Sequence, residues 1–68
     1  MSCTWEQLSP TERVLTMNNM DAYGGGFCRA IVDAMRLADS NNLWRLVTTF
    51  DDLIDRYQPK NWRHGNGA

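Results

Sequence analysis

Asp51, Asp52 and Asp55 are the densest group of chemistry-bearing side chains in this chain, and on a helix Asp51 and Asp55 stand one turn apart, facing the same way. Paired carboxylates can hold a divalent cation or share a proton. Two carboxylates on one helix make a metal site only when another element adds ligands. The sequence offers few: His64 is the single histidine, and neither Cys3 nor Cys28 stands at ligand spacing to it. Asp52 can instead pair with Arg56, so the group reads first as a solvated acidic face and second as a partner-binding patch carried by Asp51 and Asp55. Ser9, Thr11, Thr48 and Thr49 have no neighbouring histidine to activate a hydroxyl, which leaves nucleophilic catalysis without support. The reading is a non-enzyme with no catalytic residue, no metal and no cofactor.

Gly24-Gly25-Gly26 could be mistaken for a phosphate cradle, but no strand precedes it and no Lys-Ser or Lys-Thr follows. Glycines also tolerate positive φ and close backbone approach, so the run is expected to redirect the chain between helices, with Gly25 or Gly26 lying against another helix. Three tryptophans stand out because so small a chain can hardly cover them all. Trp44 falls beside the main apolar stripe of its helix and reads equally as a partner contact or a core edge, whereas Trp5 favours the core edge. Lys60, Trp62, Arg63 and His64 form a basic, aromatic tail that could stack on a base or touch phosphates, although a solubilising role is the simpler one. Trp44, Asp51, Asp55, Trp62 and Arg63 are therefore the candidate partner-binding residues.

Sixty-eight residues make one domain, and a chain of this length buries only about 60% of the surface its unfolded form exposes. Small folds find extra support in disulfides, metals or oligomer partners. Cys3 and Cys28 read as free thiols, Cys28 as a small buried hydrophobe, so self-association into a homodimer is the support left. No segment approaches the ~20 apolar residues of a membrane span, and the N-terminus lacks secretory features, so a cytoplasmic protein without membrane contact is expected. A net charge of −1 lacks the basic footprint of non-specific nucleic-acid binding, which is disfavoured without being removed.

The elements that must position these residues are helices. Ser9-Pro10-Thr11-Glu12 combines a cap, a proline suited to the first helical position and a reciprocal glutamate, so a first helix begins at Pro10, with Trp5 or Leu8 placed to staple its start. Val14, Leu15, Met17 and Met20 supply its apolar face, and Asn18-Asn19 weakens its far end. A second helix, about Gly25 to Ala38, places Phe27, Ala30, Ile31, Ala34, Leu37 and Ala38 on one stripe, with Arg29, Asp33 and Arg36 opposite. Asp39 or Ser40 caps a third, about Asn41 to Tyr57, carrying Leu43, Leu46, Val47, Phe50, Leu53, Ile54 and Tyr57 until Pro59 stops it. The fold expected is all-α: a short N-terminal helix packed on an antiparallel hairpin of the second and third helices, as a dimeric bundle, in a single domain of residues 1–59 with a flexible tail of residues 60–68.

The run Tyr23-Gly24-Gly25-Gly26-Phe27-Cys28-Arg29-Ala30, then Ala38-Asp39-Ser40-Asn41-Asn42, Leu46, Phe50 and Tyr57, resembles small uncharacterised proteins of tailed phages and prophages, with a Tyr-Gly-Gly-Ser-Phe helix and an Ala-Asp-x-x-Asn turn. The chain departs from them in having Gly26 where Ser is common and Asp51 where Pro is common. The resemblance covers about half the chain and implies a phage accessory product with no catalytic residue to carry over. It makes the leading function a phage-encoded module that masks or redirects a host protein, such as an anti-phage defence component. The alternative is a nucleic-acid-associated accessory protein using Arg29, Arg36, Arg45 and the tail.

Overall fold

The structure, a computed structural model, describes residues 3–62. Its regular elements are all α-helices: α1 (Thr4–Gln7), α2 (Pro10–Tyr23), α3 (Gly25–Leu37), α4 (Ser40–Thr49) and α5 (Asp51–Tyr57). Two of the starts are set by capping. The Ser9 hydroxyl accepts the Glu12 N–H at 3.1 Å while the Glu12 carboxylate accepts the Ser9 N–H at 2.8 Å, and Pro10 occupies the first helical position. Asp39 caps α4 by accepting the Asn42 N–H at 2.8 Å.

Met20, Ile54, Val32, Val47 and Thr16 are wholly buried, so the centre of the core is shared by α2, α3, α4 and α5. Full burial of an aliphatic side chain of this size contributes about 1.5–3 kcal/mol. Thr16 is tolerated there because its hydroxyl donates to the Glu12 carbonyl of its own helix at 2.7 Å. Trp5, Leu8, Cys28, Ile31, Met35 and Tyr57 surround this centre, with Met17, Leu43, Leu46, Phe50, Leu53 and Trp62 packed against it. The most extensive helix pairing is α2 with α3, while α5 also packs on α1 and α2. α3 also contacts α4, the first part of the expected third helix, less extensively than it contacts α2.

The buried faces differ from those expected on two helices. On α2, Val14 and Leu15 are exposed, while Thr16 and Met20 point inward and Met17 is half-buried. A threonine at an inward position hides that face from any count of apolar residues. On α3, Phe27, Ala30, Ala34 and Leu37 lie outside, and Cys28, Ile31, Val32 and Met35 form the inner face. Both stripes have helical spacing and share Ile31. The inner one goes with the close junction at Gly24, which seats Cys28 against the turn and leaves even Phe27 and Leu37 outside. Asn18 and Asn19 do not end α2 either. It runs on to Tyr23, and the Asn19 amide donates to the Tyr57 carbonyl at 3.0 Å, tying α2 to the end of α5.

The expected third helix is broken at Phe50, which closes α4 and opens α5 with φ −108° and ψ 32°. Thr48 sits just before the break, its hydroxyl turned back onto the Trp44 carbonyl at 2.8 Å, an arrangement that bends helices. The break frees the Asp51 carboxylate to accept the Thr4 N–H of α1 at 2.7 Å. Beyond α5, residues 60–62 turn back onto the helices: the Asn61 amide donates to the Asp55 carbonyl at 2.8 Å.

Gly24 alone joins α2 to α3. A Cβ there would come within 2.6 Å of the Met20 carbonyl oxygen and 2.4 Å of the Cys28 Cβ, closer than real Cβ atoms stand. Gly25 has φ +76° in open space, and Gly26 has neither a positive φ nor a neighbour within 4 Å. The close approach expected at Gly25 or Gly26 therefore falls one residue earlier. Three alanine variants should separate these roles in thermal melts. Gly24→Ala should be the most damaging, Gly25→Ala should lose about 1–2 kcal/mol to the left-handed backbone, and Gly26→Ala should be neutral or gain up to about 1 kcal/mol in helix propensity. A Gly24→Ala variant melting with the parent would remove the close junction.

Candidate functional site

A cleft of about 170 Å³ opens between the N-terminal segment and one flank of α4. Leu43 and Val47 give it an apolar lining, Trp5 and Arg13 form one wall, and Trp44 stands beside Ser40 on the other. Arg13 lies over the Trp5 indole with its guanidinium carbon 5.0 Å from the ring centroid, and its Nε donates to the Trp5 carbonyl at 3.1 Å. Ring and backbone thus both hold Arg13 in place, and the cation covers an aromatic face that would otherwise meet water. Trp44 remains 47% exposed. Glu6 lines the cleft as well, so the cleft holds charges of both signs beside a large aromatic half out of water, and it can take up an apolar or aromatic side chain with a polar group beside it.

The other sequence-derived candidates lie elsewhere and carry internal bonds. Asp51 holds the Thr4 N–H. Asp55 accepts the Gln58 amide at 2.7 Å and the Asn61 amide at 3.3 Å, so it organises the end of α5. These two carboxylates, expected to face solvent together, each hold internal bonds; Asp51 is half-buried, while Asp52 and Asp55 are exposed. Trp62 packs against Tyr57 with centroids 4.8 Å apart and stacks on Tyr23 at 5.6 Å. It is half-buried, and its indole N–H is buried without an acceptor among the described residues. Arg63 and His64 lie outside the described residues. Trp44 is the one candidate placed at a cleft.

Cys3 and Cys28 are free and buried. Burial pushes the Cys28 thiol above its ordinary range, with the nearby Arg56 charge acting more weakly the other way. Such a thiol is a poor nucleophile while the fold is closed. Among the described residues no three of His, Cys, Asp or Glu gather where they could hold a metal ion, and no helix is long and apolar enough to cross a membrane. The Trp5 and Arg13 wall escapes sequence reading because the two residues sit on different helices, where no spacing rule links them.

No family model, no curated protein and no solved structure matches this chain.

The Asp51 bond gives a direct test of how α1 is held. Asp51→Ala should destabilise by about 0.5–2 kcal/mol, the cost of losing a side-chain cap to a backbone N–H, while Asp52→Ala should stay within about 0.5 kcal/mol. Urea titrations of the two variants check this, and equal midpoints would show that α1 does not depend on the bond.

Proposed function

We propose that the chain is a small helical protein-binding module that recognises its partner through the Trp44 cleft and acts by covering a surface of that partner. The observation that carries this reading is the pairing of a half-exposed Trp44 with a cleft whose cation is fixed by two contacts. Binding energy at protein interfaces concentrates in a few aromatic and arginine residues seated near such pockets. The resemblance to phage and prophage proteins makes a host protein the class of partner, masked or redirected in the host cytoplasm, with components of anti-phage defence as the leading examples. The module works as a homodimer, since a chain with so small a core gains support from a second copy.

Nucleic-acid association is the weaker reading. Arg29 stands 3.7 Å from Asp21 and Arg36 stands 3.6 Å from Asp33, so two of the cations it would use lie beside carboxylates. Both pairs are exposed and contribute little to stability, but they reduce the positive field a phosphate backbone would meet.

The test is capture from a bacterial host lysate by the tagged chain, with and without nuclease, alongside Trp44→Ala. One stoichiometric protein partner should survive nuclease and be lost with Trp44→Ala, while the melting temperature of the variant stays within a few degrees of the parent. Capture that disappears with nuclease and weakens steeply with salt would support the nucleic-acid reading instead. A partner held equally by Trp44→Ala would move the recognition face off the cleft.

A further inference from the structure

The two walls of the Trp44 cleft differ in how they are built. Leu43, Trp44 and Val47 stand on α4, a ten-residue helix whose Val47 is wholly buried. That helix belongs to a closed circuit in which α2 packs on α3, α3 on α4, α4 on α5, and α5 back on α2. Trp5 and Glu6 stand on α1, which is four residues long and joins the circuit through α5. One helical turn does not persist in water on its own hydrogen bonds. Its position is set from outside: the Asp51 carboxylate accepts the Thr4 N–H at 2.7 Å, the Arg13 Nε donates to the Trp5 carbonyl at 3.1 Å, and Cys3, Trp5 and Leu8 enter the shared core. α2 does not need α1 in return. Its start is closed by the reciprocal Ser9 and Glu12 bonds, and Leu8 and Ser9 are both extended, which places a hinge between the N-terminal segment and α2.

We propose that residues 3–8 form a strap that opens and closes while α2 to α5 stay folded, and that the Trp44 cleft exists only in the closed state. This rests on the Trp44 reading and gives that site an on and an off form. Opening takes Trp5 and Glu6 out of the cleft and deprives Arg13 of both contacts that hold it, the indole face at 5.0 Å and the carbonyl. Leu43 and Val47 then lose their cover, and a shaped cleft becomes an open side of α4. A segment outside the main packing circuit opens at lower free energy than the fold as a whole. The Asp51 bond sets the balance, because it ties the strap to a helix of the circuit 47 residues away in sequence. A partner that prefers the closed form draws the strap shut by the amount of that preference.

The two native thiols report the two kinds of opening. Cys3 lies in the strap, Cys28 lies at the α2 to α3 junction, and both are buried in the closed state. The full chain is treated with N-ethylmaleimide in native buffer, and peptide mass mapping follows each cysteine. Cys3 should react at least about ten times faster than Cys28 and respond little to low urea, because opening the strap exposes little surface. Cys28 should accelerate steeply with urea. Asp51→Ala should speed the Cys3 reaction about two- to thirty-fold, the population change that loss of a capping carboxylate brings. Asp51→Asn, which keeps an acceptor oxygen, should fall nearer the parent. A chain modified at Cys3 alone should keep the helical circular dichroism of the parent while its Leu43 and Val47 methyl resonances shift, since the adduct has no room at a position 8% exposed. Two thiols that react at one rate with one urea dependence would show that the segment opens only with the whole fold. Leu43 and Val47 resonances unmoved by the adduct would show that the cleft does not need the strap. Either result overturns the proposal and leaves the Trp44 reading standing. A strap that behaves as expected in a chain that captures no partner from lysate sinks the Trp44 reading alone.

Discussion

The absence of a side chain at residue 24 governs the arrangement of the whole chain. Gly24 is the entire connection between α2 and α3, and the Met20 carbonyl and the Cys28 Cβ already occupy the space its own Cβ would need. The two longest helices can therefore pack against each other from their first shared turn, and their pairing is the most extensive in the molecule. Gly25 completes the junction in a left-handed conformation that other residues adopt only with strain. This junction also fixes how α3 is rotated. With Cys28 held against the turn, the residues one helical step on, Ile31, Val32 and Met35, must face inward, and Phe27, Ala30, Ala34 and Leu37 are left outside.

The second constraint is the break at Phe50. An unbroken helix from Ser40 to Tyr57 would be about 27 Å long and would carry Asp51 away on the same axis as Trp44. Ending α4 at Thr49 and restarting at Asp51 lets α4 and α5 pack on different neighbours, and it points one carboxylate at the Thr4 N–H. That bond, with the Arg13 hold on the Trp5 carbonyl, brings the N-terminal segment under the helices and puts the Trp5 indole within reach of α4. Each tie is a side chain bonded to a backbone group, so it fixes position along the chain as well as proximity. The cleft beside Trp44 is a product of these two bonds.

Signals that act over a few residues were legible in the sequence. The Ser9, Pro10 and Glu12 capping box and the Asp39 cap depend on neighbours within one turn and stand where local chemistry predicts, and the glycine run forms the expected junction, with its close approach at Gly24. The all-helical character follows from the same periodicities. Which face of each helix turns inward was not legible on α2 or α3, because two overlapping stripes have equally good spacing and the choice rests on contacts between helices. Thr16 in the core and Val14 outside reverse the order hydropathy would give. Among the site residues, Trp44 was visible as an aromatic off the main stripe. The role of Asp51 joins segments 47 residues apart and the Arg13 contact with Trp5 spans two helices, so neither could be read from spacing along one helix, whereas Asp55 bonds Gln58 only three residues on.

Two apolar regions of the described surface lie on opposite flanks of α4. Asp51, Arg13 and Asn19 tie segments together, and both free thiols are buried. What remains available is apolar: the α3 face on one flank of α4 and the Trp44 cleft on the other. Because the two flank the same helix, one can be covered without closing the other. A homodimer of the kind proposed would display two Trp44 clefts related by a twofold axis. Against a single-site partner the second cleft adds nothing to the affinity of the first. Against a partner that is itself symmetric, the second contact becomes intramolecular and can raise the overall affinity by about 10² to 10⁴ without any new contact, provided the two sites match the separation of the clefts. In a homodimer that bound through these clefts, their separation would select which symmetric partners could engage both at once.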